Sequence, residues 1–172
     1  DAGFARVPQF DPVSGLTRLV TQRISRASAE QRAGRAGRTA PGVCYRLWSE
    51  TTQRGLIAQA IPEIKGADLA PLALELAAWG VQDAVNLDWL DPPPAASLAQ
   101  ARALLAELDA LDDTGRITAA GHALAQLPLH PRLAHMLRVA ATMQRGALAC
   151  DIAALLSERD IFKGEARRSC DL

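Results

Sequence analysis

Gln31-Arg32-Ala33-Gly34-Arg35-Ala36-Gly37-Arg38 is the stretch on which the reading of this chain turns. It interleaves three arginines and a glutamine with alanine and glycine, and nothing in it is bulky. Each helical residue turns by about 100°, so Gln31, Arg35 and Arg38 share one face, with Arg32 to one side. Glycine costs about 1 kcal/mol against alanine inside a helix. Gly34 and Gly37 therefore need another reason to be there, and a missing side chain lets something approach the backbone closely. An amide and forked guanidinium groups over a bare surface suit a polyanion, and a phosphate chain fits best. The rival source of such a string is composition: only 2 of the 19 basic residues are lysine, and alanine is abundant.

Working outward, the 172 residues are 49% hydrophobic and 22% charged, as in an ordinary globular chain of one or two domains. Aromatic residues make up 4%, so the core is expected to rest on Leu, Ala, Val and Ile. No apolar run approaches the roughly 20 residues of a membrane span, so no membrane partner is expected, and the cysteine usage points to a reducing cytoplasm. Cys44, Cys150 and Cys170 are odd in number and widely spaced. That speaks against a zinc site or a disulfide framework, and the first two are expected to be buried. His122, His130 and His135 lack metal-ligand spacing and are assigned to turns or core; no metal site is expected. Trp79 and Trp89 are read as core anchors, with base stacking as the alternative for an exposed one. The net charge of zero hides an asymmetry: residues 1–60 carry nine arginines against four acids, and residues 61–172 ten basic against fifteen acidic. Phosphate or RNA contact belongs with the basic part.

Val7–Phe10 and Leu19–Ile24 flank the turn Asp11-Pro12-Val13-Ser14-Gly15 and predict a β-hairpin. A helix is expected from near Ser28 to about Arg38, then a strand over Gly42–Leu47 and a helix beginning in Ser49–Gln59. Ser28-Ala29-Glu30-Gln31 has the form of a capping box, which gives Gln31 a structural alternative to phosphate contact. Asp68 can cap a helix carrying Leu69, Leu72, Leu76 and Trp79, ended by Gly80. Ser97 opens another with Leu98, Ala101, Leu105, Leu108 and Leu111 inward. Asp112-Asp113-Thr114-Gly115 turns into a short strand, Arg116–Thr118, and then a helix through Leu127. Two amphipathic helices follow, with Leu133, Met136, Leu137 and Ala140 inward on the first. Leu148, Ile152, Leu155 and Leu156 are expected inward on the second.

Ser25–Arg38 and the following Thr39–Leu47 closely resemble motif VI and its next strand in superfamily 2 helicases of the DEAH type. Asp1-Ala2-Gly3-Phe4 resembles the segment just after motif V, and Phe10–Arg26 the β-hairpin region joining V to VI. Ile61-Pro62-Glu63-Ile64, Leu69–Gly80, Trp89-Leu90-Asp91-Pro92-Pro93 and Leu127-Pro128-Leu129-His130-Pro131 recur in order in the C-terminal regions of that family. The resemblance covers nearly the whole chain, and motif VI is its specific part.

It implies an α+β, mostly helical chain: the C-terminal part of a RecA-like α/β domain (1–60), a winged-helix domain (61–131) and the start of a helical ratchet bundle (132–172). It further implies that Gln31 contacts the terminal phosphate of ATP or its attacking water. Arg35 and Arg38 would be arginine fingers, with the bare backbone at Gly34 beside the nucleotide. Arg32 is implied either in a structural salt bridge or in ligand contact. Arg18 and Arg23 on the hairpin face RNA, a neighbouring domain or solvent. Fingers matter because phosphoryl transfer is mostly positioning and charge stabilisation. The Gly-Lys-Ser/Thr loop and the Asp-Glu-x-His box of such an ATPase are not in the chain, whose lysines are Lys65 and Lys163 alone. The chain thus reads as an internal segment that binds no ATP or Mg²⁺ by itself. Its partners would be an upstream RecA-like domain of the same protein and single-stranded RNA, with DNA as the alternative. Two other classes compete: a non-catalytic docking module with a relic motif VI, and a winged-helix DNA-binding regulator. Glu107, Asp109, Asp112 and Asp113 oppose the second, because acids repel the phosphate backbone.

Overall fold

The computed structural model describes residues 1–12, 14–84 and 87–157. Val13 in the hairpin turn, Lys163, Arg167-Arg168 and Cys170 lie outside them. The chain divides into two compact units, one of Asp1–Asp68 with Trp89–Pro94, the other of Leu69–Asp88 with Ala95–Leu172. The architecture is α+β and mostly helical.

In the first unit, β1 (Phe4–Asp11) and β2 (Leu16–Arg23) pair antiparallel, from Phe4 opposite Arg23 to Asp11 opposite Leu16. β1 runs four residues longer than the apolar run implied, and β2 begins three residues earlier and ends one earlier than its run. The turn closes with Gly15 at φ +65°, a conformation that suits glycine. Helix α1 (Arg26–Gly34) follows at once and passes into a 3₁₀ turn, Arg35–Gly37. Its cap is Ser25 rather than Ser28: the Ser25 hydroxyl accepts the Ser28 N–H at 3.1 Å, and Ser25 is buried. Two further N–H groups of the first turn are met by the loop after α2, Arg26 to Ile57 O at 2.8 Å and Ala27 to Ala58 O at 3.1 Å. Helix starts leave such donors unsatisfied, so these bonds fix where α1 begins. Helix α2 (Glu50–Gly55), capped by Ser49, is shorter than the Ser49–Gln59 stretch. Ile24, Ala29 and Leu56 form the core here, with Ala5 and Trp48 packed against them.

Gly42–Leu47 was expected as a strand and is not one. Its backbone bonds to Asp1, which donates to Tyr45 O at 2.8 Å and accepts from Leu47 at 2.9 Å. No ladder forms along it among the described residues, and Val43, Tyr45 and Leu47 are exposed.

The second unit is helical. Helices α3 (Ala70–Ala78), α4 (Ala95–Glu107), α5 (Ala119–Ala125), α6 (Pro131–Thr142) and α7 (Gly146–Ser157) pack on one another, α3 against α4, α5 and α6, and α6 against α7. Leu69, Leu74, Leu76, Leu98, Leu105, Leu111 and Leu124 carry the core, filled in by alanines. Between α4 and α5 lies a small wing in which Leu111 bridges Ile117 and Gly115 turns the chain at φ +78°. Asp112 organises the turn, its Oδ1 accepting from Thr114 N, Thr114 Oγ1 and Arg116 N at 2.6–2.9 Å. The Thr114 hydroxyl, then the Arg116 N–H, hold the Asp112 carboxyl below its ordinary range. Thr118 caps α5 by accepting the Gly121 N–H at 3.0 Å.

Three burial expectations fail in identifiable ways. Helix α3 starts from Leu69 without a side-chain cap and buries Ala70, Ala73, Leu74 and Leu76, which leaves Trp79, at its C-terminal end, 74% exposed. Helix α7 turns Ala149 and Ala153 inward, because small residues let it lie close; Leu148, Ile152, Leu155 and Leu156 remain exposed. Cys150, next to Ala149, is therefore exposed, and Cys44 is half-buried.

Candidate functional site

The octapeptide 31–38 spans the end of α1 and the 3₁₀ turn. In a 3₁₀ turn three residues complete a revolution with a rise of about 2 Å each. Arg38 therefore stands nearly in line with Arg35, one turn of roughly 6 Å away, and Gln31 lies one α-helical turn on the other side. The tightened end aligns the two arginines better than a continued α-helix would. Gln31, Gly34, Arg35 and Arg38 are all exposed. No hydrogen bond or ion pair engages the side chains of Gln31, Arg35 or Arg38 among the described residues. With Ser25 as the cap, Gln31 has no capping duty.

Arg32 differs from its neighbours. Its Nη2 lies 2.9 Å from Asp1 Oδ1, and its Nη1 donates to the Phe4 carbonyl at 3.1 Å. Of the two readings left open for Arg32, the structure contains the salt bridge.

The glycines also separate by role. A Cβ at Gly34 or Gly37 would meet nothing within 4 Å, so the close approach expected there does not come from this chain. It occurs at Gly42, where a Cβ would sit 1.9 Å from the Ala36 carbonyl oxygen. Gly42 lets the chain pass close against the Ala36 carbonyl of the 3₁₀ turn. Sequence reading missed this residue, and the Pro41-Gly42 pair was the available signal.

Arg18 and Arg23 are exposed on the same strand, five positions apart, and alternation puts them on opposite faces of the hairpin. Arg23 lies over the ring of its cross-strand partner Phe4, 4.2 Å from the centroid. Arg18 stands apart from that pair. Among the described residues no group of three His, Cys, Asp or Glu side chains could hold a metal ion. No helix of the described residues is long and apolar enough to cross a membrane.

The donor set suits a triphosphate: two aligned guanidinium groups and an amide, none engaged among the described residues, share a stretch with two glycines at which a Cβ would meet nothing within 4 Å.

Comparison with known proteins bears out the family resemblance of the chain. Residues 101–129, from α4 through the wing and α5, match the model of the helicase-associated domain (HA2), a winged helix. The chain is 46% identical over 158 residues to the ATP-dependent RNA helicase HrpB of Escherichia coli strain K12, covering 92% of this chain and 19% of that protein. It is 40% identical over 163 residues to the pre-mRNA-splicing factor ATP-dependent RNA helicase prp22 of Schizosaccharomyces pombe, covering 94% of this chain and 14% of that one. The crystal structure of the E. coli DEAH/RHA helicase HrpB superposes with a TM-score of 0.86 at 44% identity, over 95% of this chain and 21% of that one. A second, of the E. coli DExH-box NTPase HrpB, gives 0.82 at 44% identity, over 94% and 20%. The chain thus spans about a fifth or less of the relatives it matches. It is a homologue of the DEAH/RHA helicases over the stretch that contains their helicase-associated winged helix.

Proposed function

We propose that the chain is the part of an ATP-dependent RNA helicase that carries the arginine fingers and the winged-helix coupling element. The observation that supports this most is the trio Gln31, Arg35 and Arg38, uncommitted among the described residues and presented at the end of a helix whose start is fixed by the Ser25 cap and the bonds to Ile57 and Ala58. Guanidinium groups are suited to this work because they stay charged and fork onto phosphate oxygens. Bound ATP with Mg²⁺ supplies the γ-phosphoryl group that is transferred to water. Arg35 and Arg38 put cationic charge where negative charge develops on that group, and Gln31 orients the terminal phosphate or the attacking water. Gly34 leaves room for the phosphates to reach the helix. Such a finger is worth 10³–10⁵ in rate where it has been removed in other phosphoryl-transfer enzymes.

The remaining nucleotide contacts would come from an upstream RecA-like domain of the same protein, so this chain alone would neither bind nor turn over ATP. Residues 1–60 would complete the second RecA-like domain, 61–131 the winged helix and 132–172 the opening of a ratchet bundle. Arg23 and Arg18 would meet single-stranded RNA. Closure of the two RecA-like halves on ATP would bring the fingers into place, and hydrolysis would release them.

The test is RNA-stimulated ATP turnover by the helicase containing this chain, wild type against Arg38→Ala. A fall of about 10³ or more in kcat with ATP binding little changed is expected for a group used in the transition state. Turnover that survives the substitution would leave motif VI as a relic and the chain as a docking module.

A further inference from the structure

We infer that Arg32 is a positioning residue that couples the β-hairpin to the arginine fingers, so that RNA engagement at the hairpin sets the placement of Arg35 and Arg38. The inference rests on the proposed function and deepens it. Arg32 is the one arginine of the octapeptide that is held. Its guanidinium grips the start of β1 at two points on either side of Gly3, the Asp1 carboxylate at 2.9 Å and the Phe4 carbonyl at 3.1 Å.

That grip is made on a rigid segment. Asp1 Oδ1 also accepts the Gly3 N–H at 2.9 Å, the Gly3 carbonyl accepts from Ile24 at 3.1 Å, and Gly3 sits at φ +75° with Trp48 against it. The far end of α1 is equally fixed, by the Ser25 cap and the bonds to Ile57 and Ala58. Phe4 therefore joins two things: its ring lies under Arg23 on an exposed hairpin face, and its carbonyl is held by Arg32. A base or phosphate that shifts Phe4 or Arg23 acts directly on the residue between Gln31 and the fingers. The role needs a fork. A lysine ammonium is a point charge on a flexible stem and could not hold both oxygens in a fixed plane.

The experiment compares ATP turnover of the helicase containing this chain with and without poly(U), for wild type, Arg32→Ala, Arg32→Lys and Asp1→Asn. RNA-free turnover should fall less than poly(U)-stimulated turnover in each, because Arg32 and Asp1 lie outside the phosphate-binding trio and act on it through the hairpin. Stimulation by poly(U) should fall by a factor between about two and thirty in Arg32→Ala, the usual range for a coupling residue. Arg32→Lys should fall nearly as far, and Asp1→Asn, which keeps the Phe4 bond, should fall less. Thermal melting separates a folding defect from lost coupling, and Asp1→Asn carries the test if Arg32→Ala does not fold. Unchanged stimulation in Arg32→Ala, full rescue by lysine, or RNA-free turnover falling in parallel with stimulated turnover would each overturn the coupling alone. A wild-type protein that shows no RNA-stimulated turnover would overturn the proposed function and the coupling with it.

Discussion

Replacing Gly121 with alanine sets two opposing effects against each other, and the structure decides the sign. Gly121 lies inside α5, where alanine is favoured over glycine by about 1 kcal/mol. A Cβ there would sit 2.2 Å from the Ala110 carbonyl oxygen and 2.7 Å from Ile117 Cγ1. Ala110 cannot easily yield: it is fully buried, its N–H donates to Leu105 O at 2.8 Å, and its carbonyl accepts from Thr118 N at 3.0 Å. Relief requires α5 to move away from the wing by about 1 Å, toward an ordinary carbon–oxygen separation of roughly 3.3 Å. Overpacking of this kind costs about 1–3 kcal/mol, and loss of the Thr118 bond adds about 1 kcal/mol. Net destabilisation is then about 1–3 kcal/mol, which for a unit of this size lowers the melting midpoint by roughly 4–15 °C. The assay is thermal melting followed by circular dichroism, with Gly55→Ala as control, since a Cβ at Gly55 meets nothing within 4 Å. A Gly121→Ala protein that melts at or above wild type would refute the steric argument and leave helix propensity in charge.

Two further outcomes follow from the same geometry. Gly42→Ala would drive a Cβ into the Ala36 carbonyl and push the 3₁₀ turn out of place; a displacement near 1 Å is expected to cost about 10²-fold in kcat, whereas Gly34→Ala, in the last turn of α1 with open space for a Cβ, should melt at or slightly above wild type, and equal kcat in Gly42→Ala and wild type would contradict this. Asp112, whose carboxyl titrates below its ordinary range, stabilises the folded wing above the unfolded-chain value of about 3.9 and loses that contribution as pH falls through its lower folded value. Urea unfolding should therefore find Asp112→Asn less stable than wild type at pH 7, with the gap closing toward pH 3; a gap independent of pH would contradict the assignment.

Elements defined by local signals were legible in the sequence. The Asp11–Gly15 turn between apolar runs announced the hairpin, and Leu98, Ala101 and Leu105 at helical spacing announced the inward face of α4. What depended on distant partners was not. Ser25 and Ser28 are both competent caps by type; Ser25 does the work because burial beside Ile24 and bonds from Arg26 and Ala27 to the 57–58 loop fix the helix start there. The apolar stripe of α7 suggested Leu148, Ile152 and Leu155 inward, yet the helix packs through Ala149 and Ala153. Periodicity identifies an apolar face without saying which of two adjacent stripes a neighbour will take. The residues proposed to face phosphate were legible as a motif, and Asp1 and Phe4 belong to a recognisable segment, but their contact with Arg32 and that of Gly42 with Ala36 join positions distant in the chain and left no local signal.

The division of labour among the arginines of 31–38 bears on why the octapeptide has this form. Like charges at neighbouring helical positions destabilise a helix by a few tenths of a kcal/mol each, and the 3₁₀ turn brings Arg35 and Arg38 closer to eclipse than an α-helix would. Two glycines in the same stretch lower its intrinsic stability further. A sequence selected only to close a helix would pair or disperse these charges, as the chain does with Arg32 and Asp1. Instead Arg35 and Arg38 stay solvated and in register, while the Ser25 cap, the 57–58 loop, Arg32 and the Gly42 contact supply the support their own segment lacks. Stability is drawn from the flanks and charge is left free at the centre. Under the proposed function, an anion engaging both guanidinium groups at once would account for that arrangement.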